Sequence, residues 1–279
     1  MKKWKIFSIT FFLVYLLFAQ SCLRMRTNDK DAIGQYNKLG INLRFNDFIL
    51  DDLKIHFAKT GNDTASTIFF IHGSPGSWSA YENFLSDSNL IKKYRLISVD
   101  RPGFGYSNFN EPQNLQTQTN VLNKFINSID NKKNIYVIGH SYGGPLVANM
   151  ASENQKINGI IIIAGAISLK LEKPEKWRKL FINNPLESLV PGALNSSNHE
   201  LWWLKNDLNI LEKKLTNIKC KTIVIHGTKD QLVSFGNLKF IQEQFTSVDT
   251  LKTIILKDVN HFIPWNNFDL VKKELLNLE

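Results

Sequence analysis

Short, unbroken apolar runs recur along this chain and constrain its fold more than any other feature. Residues 66–73 (STIFFIHG), 134–140 (NIYVIGH) and 157–167 (INGIIIIAGAI) show no alternation of polar and apolar side chains. A strand with this pattern is buried on both faces, which is typical of a parallel sheet covered by helices. Between the runs, segments such as residues 116–129 have the periodicity of an amphipathic helix. The pattern predicts an α/β fold with a mostly parallel sheet and helices on both faces.

Eight strands are expected in total. In addition to the three runs above, strand patterns occur at residues 44–50, 53–59, 94–100, 220–227 and 251–258. Residues 171–215 interrupt the alternation, because they contain tryptophans, prolines and helical pieces but no strand pattern. This segment is predicted to be a small helical cap, inserted into a core formed by residues 41–170 and 216–279.

The first 40 residues differ from the rest of the chain. Lysines at the N-terminus precede an apolar stretch over residues 6–19, which is shorter than the roughly 20 residues that a bilayer span needs. Small residues then precede Cys22, and this arrangement resembles the signal peptide of bacterial lipoproteins. The resemblance implies a signal peptide over residues 1–21, a lipid on Cys22 and a polar tether over residues 22–40.

A lipoprotein-type signal peptide determines where the protein is expected to be located. The protein is expected to be exported to the cell envelope and lipid-anchored to a bacterial membrane, on its periplasmic or surface side. An ordinary signal peptide, in which Cys22 is incidental, and an uncleaved N-terminal anchor are the alternatives.

Composition excludes several classes of partner. The formal net charge is +9 over 279 residues, but no block of Lys and Arg resembles a nucleic-acid-binding arm, so no nucleic acid is expected as a partner. Cys22 and Cys220 are the two cysteines, too few for a disulfide framework or a cysteine-based zinc site. Cys220 opens an apolar strand pattern and is expected to be a buried thiol.

The clearest chemical motif is Gly139-His140-Ser141-Tyr142-Gly143, which fits G-x-S-x-G. It follows a predicted buried strand and precedes a predicted helix. A sharp turn between the two would hold Ser141 in a strained backbone conformation and would require small neighbours. The following helix N-terminus would stabilise developing negative charge. A plain turn can also contain these residues, but the strand–turn–helix context favours a nucleophile.

With this motif in place, two further loops resemble those of the α/β-hydrolase family. Residues 69–76 (FFIHGSPG) resemble the family's His-Gly loop, and residues 100–107 (DRPGFGYS) resemble its D-x-x-G-x-G-x-S turn. The resemblance extends over about residues 40–279. It implies the α/β-hydrolase fold, with the helical cap lying over the site.

The resemblance also assigns roles around Ser141. It implies that the backbone N–H groups of Ser74 and Tyr142 form an oxyanion hole. His72 is then expected to fix the loop rather than act as a base, and Asp100 to be structural.

An acid and a base are implied after the late strands, in the family order of nucleophile, acid and histidine. Asp230 matches the acid position and His261 the base position, whereas Asp258 is expected to be a solvated loop carboxylate. Ser141 would attack an acyl carbon, His261 would transfer the proton and Asp230 would orient the imidazole. This chemistry requires no metal and no organic cofactor.

The expected activity is hydrolysis of a carboxylic ester, or a related acyl bond, in a small-molecule acyl substrate. Serine at position 141 argues against halogen and epoxide opening, for which the family uses an aspartate nucleophile. The HGSPG loop also resembles that of proline iminopeptidases, although Tyr142 stands where those enzymes have tryptophan. An aminopeptidase of that kind is one alternative, and a non-catalytic, envelope-anchored binding protein on the same fold is another.

The cap is predicted to shape the substrate site. Trp177, Trp202 and Trp203 suggest an apolar pocket for an acyl or aromatic group. The competing interpretation is that these side chains only pack the cap onto the core.

Overall fold

The structure is a computed structural model that describes residues 2–21 and 23–279. Eight strands form one sheet in the order β1-β2-β4-β3-β5-β6-β7-β8. The strands are β1 Arg44–Leu50, β2 Leu53–Gly61, β3 Thr67–Ile71, β4 Arg95–Val99, β5 Ile135–His140, β6 Gly159–Ile163, β7 Lys221–Gly227 and β8 Leu251–Leu256. Strand β2 is antiparallel to β1 and β4, and all other neighbours are parallel. The predicted fold class is confirmed.

The described residues also form helices, most of which follow a strand along the chain and pack on one face of the sheet. They are α1 Lys2–Ser21, α2 Asp29–Lys38, α3 Glu82–Leu85, α4 Ser88–Lys93, α5 Leu115–Ser128, α6 Gly143–Glu153, α7 Ala193–Leu211, α8 Gly236–Gln244, α9 Ile263–Asn266 and α10 Phe268–Leu276.

The apolar runs produce two hydrophobic layers, one on each face of the sheet. In β3, Phe69 and Ile71 point into the layer beneath α5, α6 and α7, whereas Ile68 and Phe70 point into the layer beneath α3, α4 and α10. Successive side chains of a strand alternate between faces, so a strand covered on both sides needs apolar residues at every position. This explains why the strand sequences are continuously apolar.

The predicted cap segment is strand-free in the structure. It contains 3-10 helices at Lys176–Phe181, Pro185–Leu189 and Glu212–Asn217, together with the long helix α7. The first half of α7 is polar, yet its residues 195–200 are all buried. Buried polar groups need hydrogen-bond partners. Ser196, Ser197 and Glu200 have theirs in the loops of the site described below, whereas Asn195, Asn198 and His199 have theirs in the 3-10 helices of the cap.

The N-terminal region differs from expectation. Residues 29–38, within the segment expected to be a tether, form helix α2 and pack on the core through Ala32 and Tyr36. Asn28 caps the helix by accepting hydrogen bonds from two backbone N–H groups, and the Tyr36 hydroxyl donates to the carbonyl of Glu82 at 2.8 Å. The short apolar pair four residues apart is hidden in a polar stretch, which explains why the sequence pattern missed it.

Cys22 lies outside the described residues. Within residues 2–21 and 23–279, no helix is both long enough and apolar enough to cross a membrane.

Candidate active site

Ser141 occupies the turn between β5 and α6. Its φ is +56°, in the left-handed region that a serine rarely adopts. A Cβ on Gly139 would lie 2.1 Å from the carbonyl oxygen of Gly143, and a Cβ on Gly143 would lie 2.6 Å from the carbonyl oxygen of Ile71. The motif therefore needs both glycines, because backbone atoms fill the space beside them. The turn leaves Ser141 half-buried in the wall of a cavity.

Asp230 and His261 come together beside this cavity, from the loops after β7 and β8. The Nδ1 atom of His261 lies 2.7 Å from Oδ2 of Asp230, and the Asp230 side chain is fully buried. Its other oxygen, Oδ1, accepts the backbone N–H groups of Leu232 and Val233 at 2.9 Å each. A carboxylate at Nδ1 favours the imidazole tautomer whose proton is on Nδ1. Nε2 of His261 then has a lone pair available to accept a proton.

His226 is a second histidine on the same carboxylate, and its role was not predicted from the sequence. Its Nε2 lies 3.3 Å from Oδ2 of Asp230 and 3.1 Å from the carbonyl oxygen of Val233. Burial alone would raise the pKa of Asp230, but hydrogen bonds from His226, His261 and the Val233 N–H outweigh it and hold this pKa below its usual range. Asp230 therefore stays ionised. The position of His226 at the end of β7, four residues before Asp230, was the signal available in the sequence.

His140, the residue before Ser141, supports His261 from behind. Its Nε2 lies 3.0 Å from the backbone carbonyl oxygen of His261, and its ring packs edge-on against Trp265. Burial, together with the neighbouring His261, lowers the pKa of His140 to about 3. His140 is therefore a neutral donor that fixes the backbone of His261.

The two N–H groups expected to form the oxyanion hole are free donors. Within the part of the chain that the structure describes, neither the N–H of Ser74 nor that of Tyr142 donates to a protein acceptor. The Ser74 hydroxyl instead donates to the hydroxyl of Ser197, on α7, at 2.7 Å. The loop that bears Ser74 is thus joined directly to the cap.

His72 and Asp100 have structural environments. Nδ1 of His72 lies 2.7 Å from the carbonyl oxygen of Gly73, and Nε2 accepts the backbone N–H of Arg101 at 3.0 Å. Burial and the nearby Arg101 guanidinium lower the pKa of His72 well below its usual value. Asp100 accepts the N–H groups of Trp78 and Tyr106 at 2.7 Å each. Burial raises the pKa of Asp100 to about 6.

Arg101 links the loop that bears Ser74 to the cap, and its role was not predicted from the sequence. Its guanidinium donates to the carbonyl oxygens of His72 and Gly73 at 2.9 Å each, and to Oε1 of Gln118 at 2.8 Å. The remaining two donors bind both carboxylate oxygens of Glu200, on α7, at 2.7 and 2.8 Å. Arg101 and Glu200 are almost completely buried. All five N–H donors of this guanidinium have a partner.

Ser141 and His261 line the same cavity, of about 1550 Å³, at the carboxyl ends of the parallel strands. Its wall also includes Ser74, Tyr142 and Trp177, with further residues from loops after β7 and β8. The cavity is large enough for a substrate with an extended apolar group.

Two of the three cap tryptophans lie elsewhere. On α7, the cavity-lining residues are Leu194, Ser197, Asn198, Leu201 and Leu204, which recur at helical spacing and share one face of the helix. Trp202 and Trp203 are not among the described residues that line the cavity, and Trp203 packs edge-on against His199. Of the three tryptophans predicted to form the pocket, the structure therefore places Trp177 in the cavity wall, where leucines of α7 also lie.

Comparisons with known proteins agree with this architecture. A family model described as alpha/beta hydrolase fold matches residues 66–187. The chain is 21% identical to the proline iminopeptidase PfmaB of Pestalotiopsis fici, over 81% of this chain and 96% of that one.

Solved structures are also similar over most of this chain. A bacterial membrane phospholipase A, described as a virulence factor, matches with a TM-score of 0.62 and 17% identity, over 99% of this chain and 100% of that one. The monoacylglycerol lipase of Paleococcus ferrophilus matches with a TM-score of 0.65 and 17% identity, over 80% and 98% of the two chains. At such identities, a structural match shows a shared architecture rather than a shared substrate. The sheet order, the parallel core and these matches together show that the chain has the α/β-hydrolase fold.

Proposed function

We propose that the chain is a serine hydrolase that cleaves a carboxylic ester, or a related acyl bond, through an acyl-enzyme on Ser141. The observation that carries the proposal is the shared cavity of Ser141, held at positive φ, and His261, held at Nδ1 by the buried carboxylate of Asp230. A non-catalytic binding protein would have no need to keep a buried carboxylate on the far side of an imidazole.

In the proposed reaction, His261 accepts a proton and then donates it, once while the acyl-enzyme forms and once while it is hydrolysed. Oγ of Ser141 attacks the acyl carbon, and its proton passes to Nε2 of His261. The leaving alkoxide takes that proton and departs, which leaves the acyl group on Ser141. Water then attacks the acyl-enzyme and gives a proton to His261, which returns it to Oγ of Ser141 as the carboxylic acid departs. Asp230 stays ionised throughout and stabilises the imidazolium.

Negative charge on the acyl oxygen needs donors that are already in place. The free N–H groups of Ser74 and Tyr142 are proposed to bind it, beside the N-terminus of α6. Removing one such donor from an oxyanion hole typically costs about 10²–10³ in rate.

A fluorophosphonate probe, which modifies activated serines, tests the proposal. The full chain is expected to be labelled, whereas Ser141→Ala and His261→Ala are expected to lose the label. Ser79→Ala is the matched control, because Ser79 lines the same cavity but lies outside the proposed reaction, and it should label like the wild type. A folded wild type that remains unlabelled would count against the enzyme and favour the binding-protein alternative.

One observation keeps the aminopeptidase alternative open. Glu172 lines the cavity, its carboxylate accepts no hydrogen bond within the described residues, and burial raises its pKa. Such a group could accept a substrate ammonium. Prolyl p-nitroanilide and p-nitrophenyl esters separate the two activities. If the protein is an aminopeptidase, it will cleave the anilide, and Glu172→Gln will abolish that cleavage while leaving ester hydrolysis intact.

We also propose that residues 1–21 act as a signal peptide and that Cys22 carries lipid, which would place the protein at a bacterial envelope membrane. The support is the sequence alone, with its basic start, its short apolar stretch and small residues before Cys22. Palmitate incorporation into the wild type, but not into Cys22→Ser, would be the expected result. Equal incorporation, or none in either, would remove the lipid anchor from the proposal.

A further inference from the structure

The mouth of the cavity has an exposed apolar rim. Six apolar residues both line the cavity and expose between 42% and 69% of their surface to solvent. They are Leu23, Met25, Trp177, Leu232, Phe262 and Trp265. They come from four separate segments: the chain after Cys22, the cap, and the loops after β7 and β8. Because the rim is assembled from four segments, the packing of a single helix or loop does not explain why its apolar side chains are exposed. Exposed apolar patches of this kind mark interaction sites.

The chain that follows Cys22 is fixed to this rim. The carbonyl oxygen of Leu23 accepts the backbone N–H of Ala193, at the start of α7, at 2.9 Å. The Arg26 guanidinium donates to the carbonyl of Gly105 and lies 4.7 Å from the ring centroids of both Tyr106 and Phe109. Within the described residues, the chain from Leu23 onward is therefore part of the cavity wall and bonded to the start of α7. Any membrane attachment made by residues 1–22 therefore brings the mouth of the cavity to the membrane surface.

The cap segment beside the rim is basic. Residues 170–179, at the start of the cap, contain four lysines, Arg178 and two Glu residues, and all four lysines are exposed. Leu180, directly after this segment, is 61% exposed. Basic residues interleaved with exposed Trp and Leu suit an anionic lipid interface, where the apolar groups enter the acyl boundary and the cations meet the headgroups.

We infer that the rim and the basic cap segment dock on an anionic bilayer surface, and that the substrate is an acyl ester of a membrane lipid that enters the cavity without crossing water. The docking surface stands on the exposed rim, the fixed N-terminal chain and the charge of the cap. The choice of substrate rests on the proposed function.

Docking is tested without catalysis. An environment-sensitive fluorophore is placed on Leu180→Cys or on Lys133→Cys in the full chain, which is then reconstituted with vesicles that carry a nitroxide-labelled lipid. Lys133 is exposed and precedes β5, at the opposite end of the sheet from the cavity. The label at position 180 should be quenched and the label at position 133 should not, after subtraction of the parent chain treated identically. Equal quenching at both positions, or none at position 180, overturns the docking inference.

Lipid delivery is tested with two esters that release the same chromophore, one dissolved in water and one held in a bilayer. The esters are p-nitrophenyl butyrate in water and p-nitrophenyl palmitate in phosphatidylcholine vesicles with about one-third phosphatidylglycerol. Reversing two cap charges, Lys176→Glu/Lys179→Glu, should lower the rate on the vesicle-borne ester by about tenfold or more and leave the soluble ester within about twofold. The control pair Lys133→Glu/Lys219→Glu reverses the same number of exposed charges at the far end of the sheet and should change neither rate.

The outcomes separate the two proposals. If the charge-reversed cap hydrolyses the vesicle-borne ester as fast as the wild type, lipid delivery through this surface is wrong although the hydrolase stands. If the wild type hydrolyses neither ester, the hydrolase proposal fails, and the proposed lipid substrate fails with it. The quenching experiment still decides whether the surface docks on the membrane.

Discussion

Replacing Glu200 by alanine is expected to destabilise the protein by about 3–5 kcal/mol, because Arg101 would remain ionised and buried without its carboxylate. The wild-type pair is bidentate, with both partners almost fully removed from solvent. A buried guanidinium that loses its counter-charge retains the full cost of leaving water. The expected loss is a large part of the roughly 5–15 kcal/mol by which domains are stable.

The magnitude depends on how much of this cost Arg101 recovers elsewhere. Three of its five donors bind the carbonyls of His72 and Gly73 and the Gln118 amide oxygen, so those contacts survive the substitution. Arg101 loses its two bonds to Glu200 and the opposing charge, and Nε2 of Gln118 loses its contact with Oε2 of Glu200 at 3.2 Å but keeps its bond to the carbonyl of Gln113. Glu200→Gln, which keeps one acceptor of similar shape, should therefore cost less than Glu200→Ala.

A double-mutant cycle tests the reasoning most directly. Arg101→Met and Glu200→Met each strand one buried charge, whereas the double variant strands none. The double variant should therefore be more stable than the sum of the two single losses predicts, by about 3 kcal/mol. Guanidinium unfolding of the full chain, followed by tryptophan fluorescence and circular dichroism, supplies the free energies. If the two losses are additive, with a coupling energy below about 0.5 kcal/mol, then the single variants are not destabilised by an unpaired buried charge, and the argument is refuted.

Three further predictions concern the site and its support. His226→Phe removes a hydrogen bond to the Asp230 carboxylate and should lower kcat/KM by about ten- to a hundredfold in a folded protein; unchanged kinetics would show that His226 only fills space. Gly139→Ala should destabilise the protein by about 1–3 kcal/mol and remove most activity, because its Cβ meets backbone. Gly34→Ala, in α2 with nothing within 4 Å, is the matched control and should stabilise by about 0.5–1 kcal/mol. Burial raises the pKa of Asp207 from 3.8 to about 6, so this group makes the unfolding free energy fall as pH rises through that interval. The difference in unfolding free energy between Asp207→Asn and the wild type should therefore shift in favour of the variant as the pH rises from about 4 to about 7. Midpoints of guanidinium unfolding measure this difference, and the same difference at both pH values would contradict the raised pKa of Asp207.

The sequence was most informative where chemistry and local structure coincide. Ser141 lies in a tight turn after a buried strand, and such a turn requires the two neighbouring glycines, which are visible in the sequence. Asp230 and His261 follow neighbouring parallel strands, and the carboxyl ends of such strands lie at one edge of the sheet, so the structure brings the two side chains into contact.

Contacts that depend on tertiary packing were not visible in the sequence. Glu200 lies 99 residues from Arg101, and nothing local marks either residue as half of a buried pair. Trp202 and Trp203 looked like pocket residues by composition, but the helical phase of α7 directs Leu201 and Leu204 to the cavity instead. Pattern reasoning gives the type of an element more reliably than the direction of each side chain on it.

The polar first half of α7 determines how freely the cap can be altered. Ser196 donates to the carbonyl of Gly103, Ser197 accepts from Ser74, and Glu200 binds Arg101, so one helix is joined to two loops that hold the site. A chimera that imported this helix from a related protein would have to import those loops as well. The 3-10 segments before α7 fully bury no residue, so they can be exchanged without the two loops, provided that Arg178 and Glu187 remain as partners for the buried Asn195, Asn198 and His199 of α7. Substrate preference can therefore be engineered there without disturbing the centre that would carry out the reaction.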